Sequence, residues 1–394
     1  MSDPIVRIAA RGDGVTSSGR HVAFAAPGDL LLDDGSLEHG PAHQAPPCSL
    51  FPMCGGCQLQ HLTDRAYADY CASRIQGALS QHGLTAEILP AYLSPPRTRR
   101  RASLRALKAG GNIVLGFNEA GSNRIVDMTE CHILHPSLFD LLGPLRRLLA
   151  SILPVRRVAE VQLTLLDAGV DVALKGVEAE GYEAAQALSD FCERHGLARL
   201  SLDEGFGPEI RYEPQPATIT LGGTAVGFPP GAFLQATEDG EAALVSAVKN
   251  AAMGASRTAD VFAGLGTFAL ALEGRVMAAE ASLDAVLALK SAASGAGKPI
   301  LVEHRDLYRR PYDAGELASL DAVVLDPPRA GAVDQVRELA ASGVPRIAYV
   351  SCNPATFARD AAVLVAGGYQ LVWVKPVGQF RWSTHVELAA AFSR

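Results

Sequence analysis

Residues 258–295 read TADVFAGLGTFALALEGRVMAAEASLDAVLALKSAASG. The first five, Thr258 to Phe262, form a short apolar run of the length and composition of a buried strand. A glycine turn follows, Ala263-Gly264-Leu265-Gly266-Thr267. RVMAAE (275–280) is a second strand that ends in an acid, and SLDAVLALKSAASG is a helix with a glycine stop. The same rhythm continues downstream. PILVEHRD, LDAVVLDPP and RIAYVSC read as strands, VDQVRELAASG and PATFARDAAVLVAGG as helices, and YQLVWVKPV and HVELAAAFSR as final strands. Alternating β and α units of this length predict an α/β fold, a parallel, doubly wound, Rossmann-like sheet over residues 226–394.

Ligands of such sheets bind beyond the carboxyl ends of the strands. Gly264 and Gly266 let backbone approach a ligand closely. A G-x-G pair by itself is also an ordinary turn, so the neighbouring acids matter. Glu280 closes the second strand, where a carboxylate accepts bonds from ribose hydroxyls. Asp306 follows the third strand and is placed to accept from an adenine amine. The full G-x-G-x-x-G of nicotinamide enzymes is missing, because Ala269 stands where its last glycine would be. A nucleoside cofactor without a pyrophosphate, S-adenosylmethionine, fits these residues better.

The chain upstream differs in character. Residues 5–32 alternate short apolar runs with glycine turns, which predicts a small β domain of about three strands over residues 1–40. A Gly- and Pro-rich stretch, DDGSLEHGPAHQAPP, reads as a linker. Helical spacing over 60–85 ends at His82-Gly83. From 97 to about 225, RTRRRASLRAL, NIVLGFN, RIVDM, VQLTLLD and VDVALKG read as antiparallel strands. HPSLFDLLGPLRRLLASIL and GYEAAQALSDFCERHG read as helices, so residues 41–225 are expected to form a central α+β domain.

With 394 residues, 48% hydrophobic and 20% charged, the composition is that of a globular protein of several domains. No signal peptide and no membrane-length apolar run is legible, so a cytoplasmic monomer is expected. The formal net charge of -7 excludes a surface that attracts nucleic acid as a whole. Any RNA contact has to come from a local basic patch. The densest run is Arg97, Arg99, Arg100, Arg101, Arg105 and Lys108, which on a strand would put Arg97, Arg99 and Arg101 on one face. That face is either solvated or a phosphate contact.

Seven cysteines occur. Cys352 sits at the lip of a strand, in Ser351-Cys352-Asn353-Pro354, and a cysteine there is either a small half-buried thiol or a nucleophile. Asp326, at the end of the fourth strand before Pro327-Pro328, belongs either to a stiff turn or to a site beside Cys352. Cys48, Cys54 and Cys57 have the spacing C-x5-C-x2-C, and Cys131 follows far along the chain. Four thiolates suit zinc or an iron–sulfur cluster, and spacing does not choose between them. Cys71 and Cys192 read as core residues.

Taken together, CSLFPMCGGCQLQH (48–61), RRRASLRAL (99–107), GFNEAGSNRIVDMTEC (116–131), GAFLQ (231–235), DVFAGLGTF (260–268), LDPPRAG (325–331), YVSCNPATFARD (349–360) and FRWSTHVE (380–387) closely resemble one family. It is the S-adenosylmethionine-dependent RNA 5-methyluridine methyltransferases, and within it the 23S ribosomal RNA branch that carries an iron–sulfur cluster. The resemblance implies a class I methyltransferase sheet with a small N-terminal RNA-binding barrel. It implies Cys352 as nucleophile and Glu387 as base. It implies a cofactor and target pocket lined by Gln235, Phe262, Gly264, Thr267, Glu280, Asp306 and Asp326. It also implies a [4Fe–4S] cluster on Cys48, Cys54, Cys57 and Cys131. The sequence departs from the family at Ala263, Gln379 and Arg381, and its N-terminal segment is shorter than usual.

The implied chemistry explains the residue types. C5 of uracil is a poor nucleophile, and addition of a thiolate to C6 turns it into an enolate-like carbon that attacks a sulfonium methyl. The C5 proton must then leave, which calls for a carboxylate. Cytosine-C5 enzymes place a nucleophilic cysteine directly after the fourth-strand proline, where Arg329 stands here. Exocyclic-amine methylases place an aromatic residue there. The expected substrate is 23S ribosomal RNA. Transfer RNA, or a non-catalytic iron–sulfur RNA-binding role, are the alternatives.

Overall fold

A computed structural model describes residues 2–394 and contains four sheets among them. The largest is built by the C-terminal sequence. Its strand order is Ile300–His304, Arg275–Glu280, Arg257–Val261, Ala322–Leu325, Arg346–Ser351, Glu387–Ser393, Gln370–Gly378, Glu87–Ile88. The first five strands run parallel, and Glu387–Ser393 is antiparallel to both its neighbours. The expected all-parallel sheet is therefore mixed at one side. From Arg257–Val261 the chain winds outward twice and then returns to the other side as Ala322–Leu325. The order reverses between these two strands, which opens a crevice at their carboxyl ends.

Residues along these strands alternate between two cores. Val323, Leu325, Ile347 and Tyr349 pack with the helices Val333–Ala341 and Pro354–Ala366. Val324, Ala348 and Val350 pack with the helix Glu238–Ala251 on the opposite face. All seven strand residues are at most 2% exposed. Each such aliphatic or aromatic side chain contributes about 1.5–3 kcal/mol on burial. That is why the strands read as continuous apolar runs.

Residues 64–93 belong by packing to this sheet although they lie within the 41–225 stretch. The helix Asp64–Ser80 sends Tyr67, Tyr70, Ile75 and Leu79 into the core that holds Val374 and Leu388. The short strands Glu87–Ile88 and Tyr92–Leu93 both pair with Gln370–Gly378. This helix is shorter than its spacing suggests. Thr63 caps it by accepting from the Ala66 amide, and it stops at Ser80, three residues before Gly83.

The middle sheet has the order Pro208–Tyr212, Arg199–Asp203, Gly169–Lys175, Val158–Leu166, Arg101–Ala109, Asn112–Gly116. It is antiparallel except where Gly169–Lys175 and Arg199–Asp203 pair in parallel across the helix Gly181–His195. The run HPSLFDLLGPLRRLLASIL forms two helices, Pro136–Asp140 and Leu142–Ile152, instead of one. Pro144 has no N–H to continue the ladder into the first. RIVDM is not a strand. It runs beside the end of Asn112–Gly116 through single backbone bonds, the Val126 amide donating to the Phe117 carbonyl and the Met128 amide to that of Leu115. The hairpin Thr218–Leu221 with Thr224–Gly227 turns on Gly222-Gly223, both at positive φ. The N-terminal sheet has five short antiparallel strands, between Asp3 and Glu38, where about three were expected. A side chain at Gly14 would lie 2.7 Å from the Ala25 carbonyl, so the sheet closes only around a glycine.

Candidate active site

The glycine turn leaves the first strand at Phe262, which has a φ of 66°, and passes through Gly264 (56°) and Gly266 (93°). A Cβ at Gly266 would come within 2.4 Å of Leu289, so the helix Leu283–Gly295 packs directly on the turn. Glu280 holds the other side. Its Oε2 accepts from the Gly264 amide at 2.9 Å and its Oε1 from the Ser282 amide at 2.7 Å. Asp306 accepts from the Tyr308 amide, and the Tyr308 ring lies 5.5 Å from that of Phe262.

The same crevice receives the ends of the fourth and fifth strands. Asn353 caps the helix Pro354–Ala366, and its side chain donates to the Arg329 carbonyl. Thr356 donates to that carbonyl as well. Asp360, fully buried, accepts from Tyr349 and from the Ala332 amide. The Asp326–Gly331 loop is thereby fastened beside Cys352. Glu387 arrives from the opposite direction. Because its strand is antiparallel, it starts where the parallel strands end. Ser351 pairs with Leu388, so the next positions, Cys352 and Glu387, stand opposite one another.

One cleft of about 850 Å³ is lined by Gln235, Phe262, Gly264, Thr267, Glu280, Asp306, Asp326, Cys352 and Glu387 together. Burial raises the Asp326 carboxyl to about 7. Burial and the nearby Asp326 raise Glu387 to about 8, against the opposing effects of a Gln379 hydrogen bond and Arg101. Burial, then Glu387 and Asp326, raise the Cys352 thiol to about 11, with Arg329 acting the other way. Near neutral pH the Cys352 thiol and the Glu387 carboxyl are mostly protonated while Asp326 is close to half ionised, and a carboxyl tuned toward 8 is matched to proton transfer there.

Raised carboxyls make a testable stability signature. A group whose folded-state pKa lies above its unfolded value favours the fold while protonated, and that advantage is lost as pH rises toward the folded pKa. Glu387→Gln should match the wild type in melting temperature near about pH 5. Near about pH 8.5 it should gain of order 1–3 kcal/mol, or roughly 2–4 °C per kcal/mol. A lower melting temperature for Glu387→Gln at the higher pH would rule out the raised carboxyl.

Gln379 is the residue that sequence reasoning passed over as a mere departure. Its Nε2 donates to Gln235 Oε1 at 2.7 Å, its Oε1 accepts from the Ala236 amide, and it is hydrogen-bonded to Glu387. Gln235 Nε2 in turn reaches Asp326 at 3.4 Å. The only signal in the sequence was its place in QFRWSTHVE. Asp260, below the glycine turn, is also raised, to about 8, by burial despite accepting from the Ala269 amide.

The basic run does not form the expected stripe. The strand starts only at Arg101, and Arg97 sits before it at a φ of 64°. Arg100 is buried in an ion pair with Glu241 at 2.6 Å and donates to the Gln235 carbonyl. Arg101 donates to the Leu234 carbonyl and stacks on Phe233. Arg105 pairs with Glu160, and Lys108 donates to the Ala150 carbonyl. Arg99 alone of the run lines the cleft.

Cys48, Cys54, Cys57 and Cys131 line one small separate cavity with Phe51, Phe117 and Ile133. Burial raises all four thiols, Cys57 to about 12, and they act on one another electrostatically. Among the described residues no group of three or more His, Cys, Asp or Glu side chains is arranged to hold a metal ion. A single zinc would need all its sulfurs at about 2.3 Å from one point. Cys71 and Cys192 are buried in the two main cores. No helix is long and apolar enough to cross a membrane among the described residues.

The fold and the strand-end cleft define a class I S-adenosylmethionine-dependent methyltransferase. The family described as tRNA (Uracil-5-)-methyltransferase matches residues 304–394. An uncharacterized RNA methyltransferase of Zymomonas mobilis is 49% identical, covering 99% of both chains. The 23S rRNA (uracil(1939)-C(5))-methyltransferase of Chromohalobacter salexigens is 33% identical over 91% of this chain and 78% of its own length. Among solved structures, the Pyrococcus abyssi tRNA (uracil-54, C5)-methyltransferase in complex with S-adenosyl-L-homocysteine has a TM-score of 0.76 at 23% identity. The match covers 100% of this chain and 99% of that one, and it shows the shared fold. The chain belongs to the RNA (uracil-5-)-methyltransferase family, with S-adenosylmethionine as its cofactor.

Proposed function

We propose that the protein methylates C5 of one uridine in 23S ribosomal RNA through a covalent bond between Cys352 and C6 of the base. The observation that carries this reading is the opposition of Cys352 and Glu387 across the strand ends, with Asp326 in the same cleft. S-adenosylmethionine, when bound, supplies an electrophilic methyl group on its sulfonium. Glu280 and Asp306 would hold its ribose and adenine, and Phe262, Gly264 and Thr267 would form the floor under it. The open space around Gly264, where a Cβ would meet nothing within 4 Å, suits a ligand lying against the backbone.

The remaining work falls to the chain. Cys352 sulfur adds to C6 as its proton passes to a neighbouring carboxylate. C5 takes the methyl group as the S–CH3 bond of the donor breaks, leaving S-adenosylhomocysteine, and briefly keeps its own proton. Glu387, held by Gln379, removes that proton. The electron pair returns to the ring and the C6–S bond breaks. The target base has to leave its stack to enter so deep a cleft.

Cys48, Cys54, Cys57 and Cys131 are proposed to hold a [4Fe–4S] cluster. In support are the cavity that the four cysteines line together and the CSLFPMCGGCQLQH motif that holds three of them. The cluster would tie the 48–57 loop to the Cys131 segment beside the cleft.

Ribosomal RNA is favoured by the similarity to the Chromohalobacter enzyme along nearly the whole chain. The test is mass-spectrometric mapping of 5-methyluridine in ribosomal and transfer RNA from cells with and without this gene. Loss of one 5-methyluridine from 23S RNA is expected. Loss confined to transfer RNA would overturn the substrate assignment and leave the uridine-C5 chemistry intact.

A further inference from the structure

The cysteine cavity and the catalytic cleft share a wall. Gly56 and Phe117 line both. Arg99 lies along this wall, and its backbone is fixed from both sides. Its amide donates to the Ile133 carbonyl, its carbonyl accepts from the His135 amide, and it forms isolated bridges with Leu134 and Thr237. It thus joins the segment after Cys131 to the segment after Gln235.

The side chain is unusual in what it lacks. Its Nε donates to the Arg101 carbonyl at 3.0 Å, and the guanidinium lies 5.3 Å from the centre of the Phe380 ring. Among the described residues it has no carboxylate partner. Guanidinium carries five N–H donors, so four are left for a ligand. No carboxylate among the described residues flanks the half-buried guanidinium, so its free donors are open to an anionic ligand that enters from the cleft.

Its neighbours decide which anion. On one side its charge acts on Cys57 and Cys131. On the other it acts, together with Arg329, on His385, which burial and these two cations hold below its ordinary value and therefore neutral. Arg329 is exposed and likewise has no carboxylate partner among the described residues. The charges that act on Cys352 are Glu387, Asp326 and Arg329, and those on Glu387 are Asp326 and Arg101. Arg99 lines the same cleft as Cys352 and Arg329, on the wall shared with the cysteine cavity, and the anion that a nucleotide brings into that cleft is its phosphodiester.

We propose that Arg99 is the phosphate contact of the cleft, a guanidinium seated by the cysteine-cavity wall that grips the RNA backbone beside the flipped uridine. The proposal rests on the reading of this cleft as an RNA uridine site. Arginine suits the task because its planar fork meets two phosphate oxygens at once. It also gives the cysteine-bearing loop a mechanical part in substrate binding: the loop positions the residue that holds the RNA.

The test is equilibrium binding of a single-stranded RNA that the wild-type enzyme methylates, measured across a salt series for wild type, Arg99→Met and Arg99→Lys. Calorimetric affinity for S-adenosylhomocysteine on the same preparations reports an intact fold. Arg99→Met should bind RNA about tenfold more weakly. Its slope of log affinity against log salt should be shallower by about 0.7, the value for one lost phosphate contact on a single strand. Arg99→Lys keeps the charge and should keep the wild-type slope. Unchanged RNA affinity in Arg99→Met, or weaker binding with an unchanged slope, overturns the proposal in favour of a structural role. Weakened S-adenosylhomocysteine binding with normal RNA binding overturns it too, since the contact would then belong to the cofactor carboxylate. A shallower slope in Arg99→Lys also counts against it. A wild-type enzyme that methylates no uridine would sink the functional reading itself, a result separable from all of these.

Discussion

Cys352→Ala is expected to bind RNA, to form no covalent adduct and to make no 5-methyluridine. Glu387→Gln should behave differently. Its thiol still attacks C6 and the methyl group still transfers, but C5 keeps its proton, so the thiol cannot be eliminated. Turnover should fall by about 10²–10⁴, the usual worth of a positioned base. A denaturation-resistant protein–RNA band carrying label from the donor methyl should accumulate. The two variants are alike in lost turnover and opposite in what they trap, because one lacks the bond-forming atom and the other lacks the means to break that bond. A labelled covalent band from Cys352→Ala would remove Cys352 from the mechanism, and normal turnover by Glu387→Gln would remove Glu387. The register pairing Ser351 with Leu388 is what gives the experiment its force, since it brings both residues to the same strand ends in one cleft.

Protein purified without oxygen should be brown and contain about four irons per chain, the composition of a [4Fe–4S] cluster. Cys57→Ser should lose the colour and melt at a clearly lower temperature, because binding energy at a cluster that exists only in the fold is folding energy. The buried thiols have to release their protons on binding, so cluster occupancy should fall as pH is lowered. Colourless protein with one zinc per chain would replace the cluster by a mononuclear site. Colourless protein with no metal would leave four buried thiols and would fail the proposal.

Much of the C-terminal architecture was legible because its signals are local. The strands at 257–261, 275–280, 322–325 and 346–351 are apolar runs covered on both faces, and a glycine, an acid or a proline stands at or shortly after each end. Asp326, Glu280 and Cys352 stand at or just beyond strand ends, so a strand count puts them at one edge of a sheet. Glu387 opens an antiparallel strand instead, and no periodicity says at which end of the sheet that strand begins. The basic run misled because periodicity says nothing about partners. Arg100 and Arg105 are matched by Glu241 and Glu160, residues far along the chain. The helix at 238–251 was missed because Gly240 and an acidic first turn dilute its apolar face.

The sequence by itself determined the doubly wound class, the glycine turn after the first strand with the acids at the neighbouring strand ends, and the residue types that the proposed uridine-C5 chemistry needs. Those are properties of neighbours in the chain, set by side-chain period and backbone freedom. The tertiary structure alone decided that residues 64–93 extend the large sheet, that Gln379 links Glu387 to Gln235, and that Arg99 stands between the cysteines and the cleft without a carboxylate partner among the described residues. Each of these depends on groups distant in sequence meeting in a space closed to water. There a missing partner is costly, and hydrogen bonds and charges act at full strength.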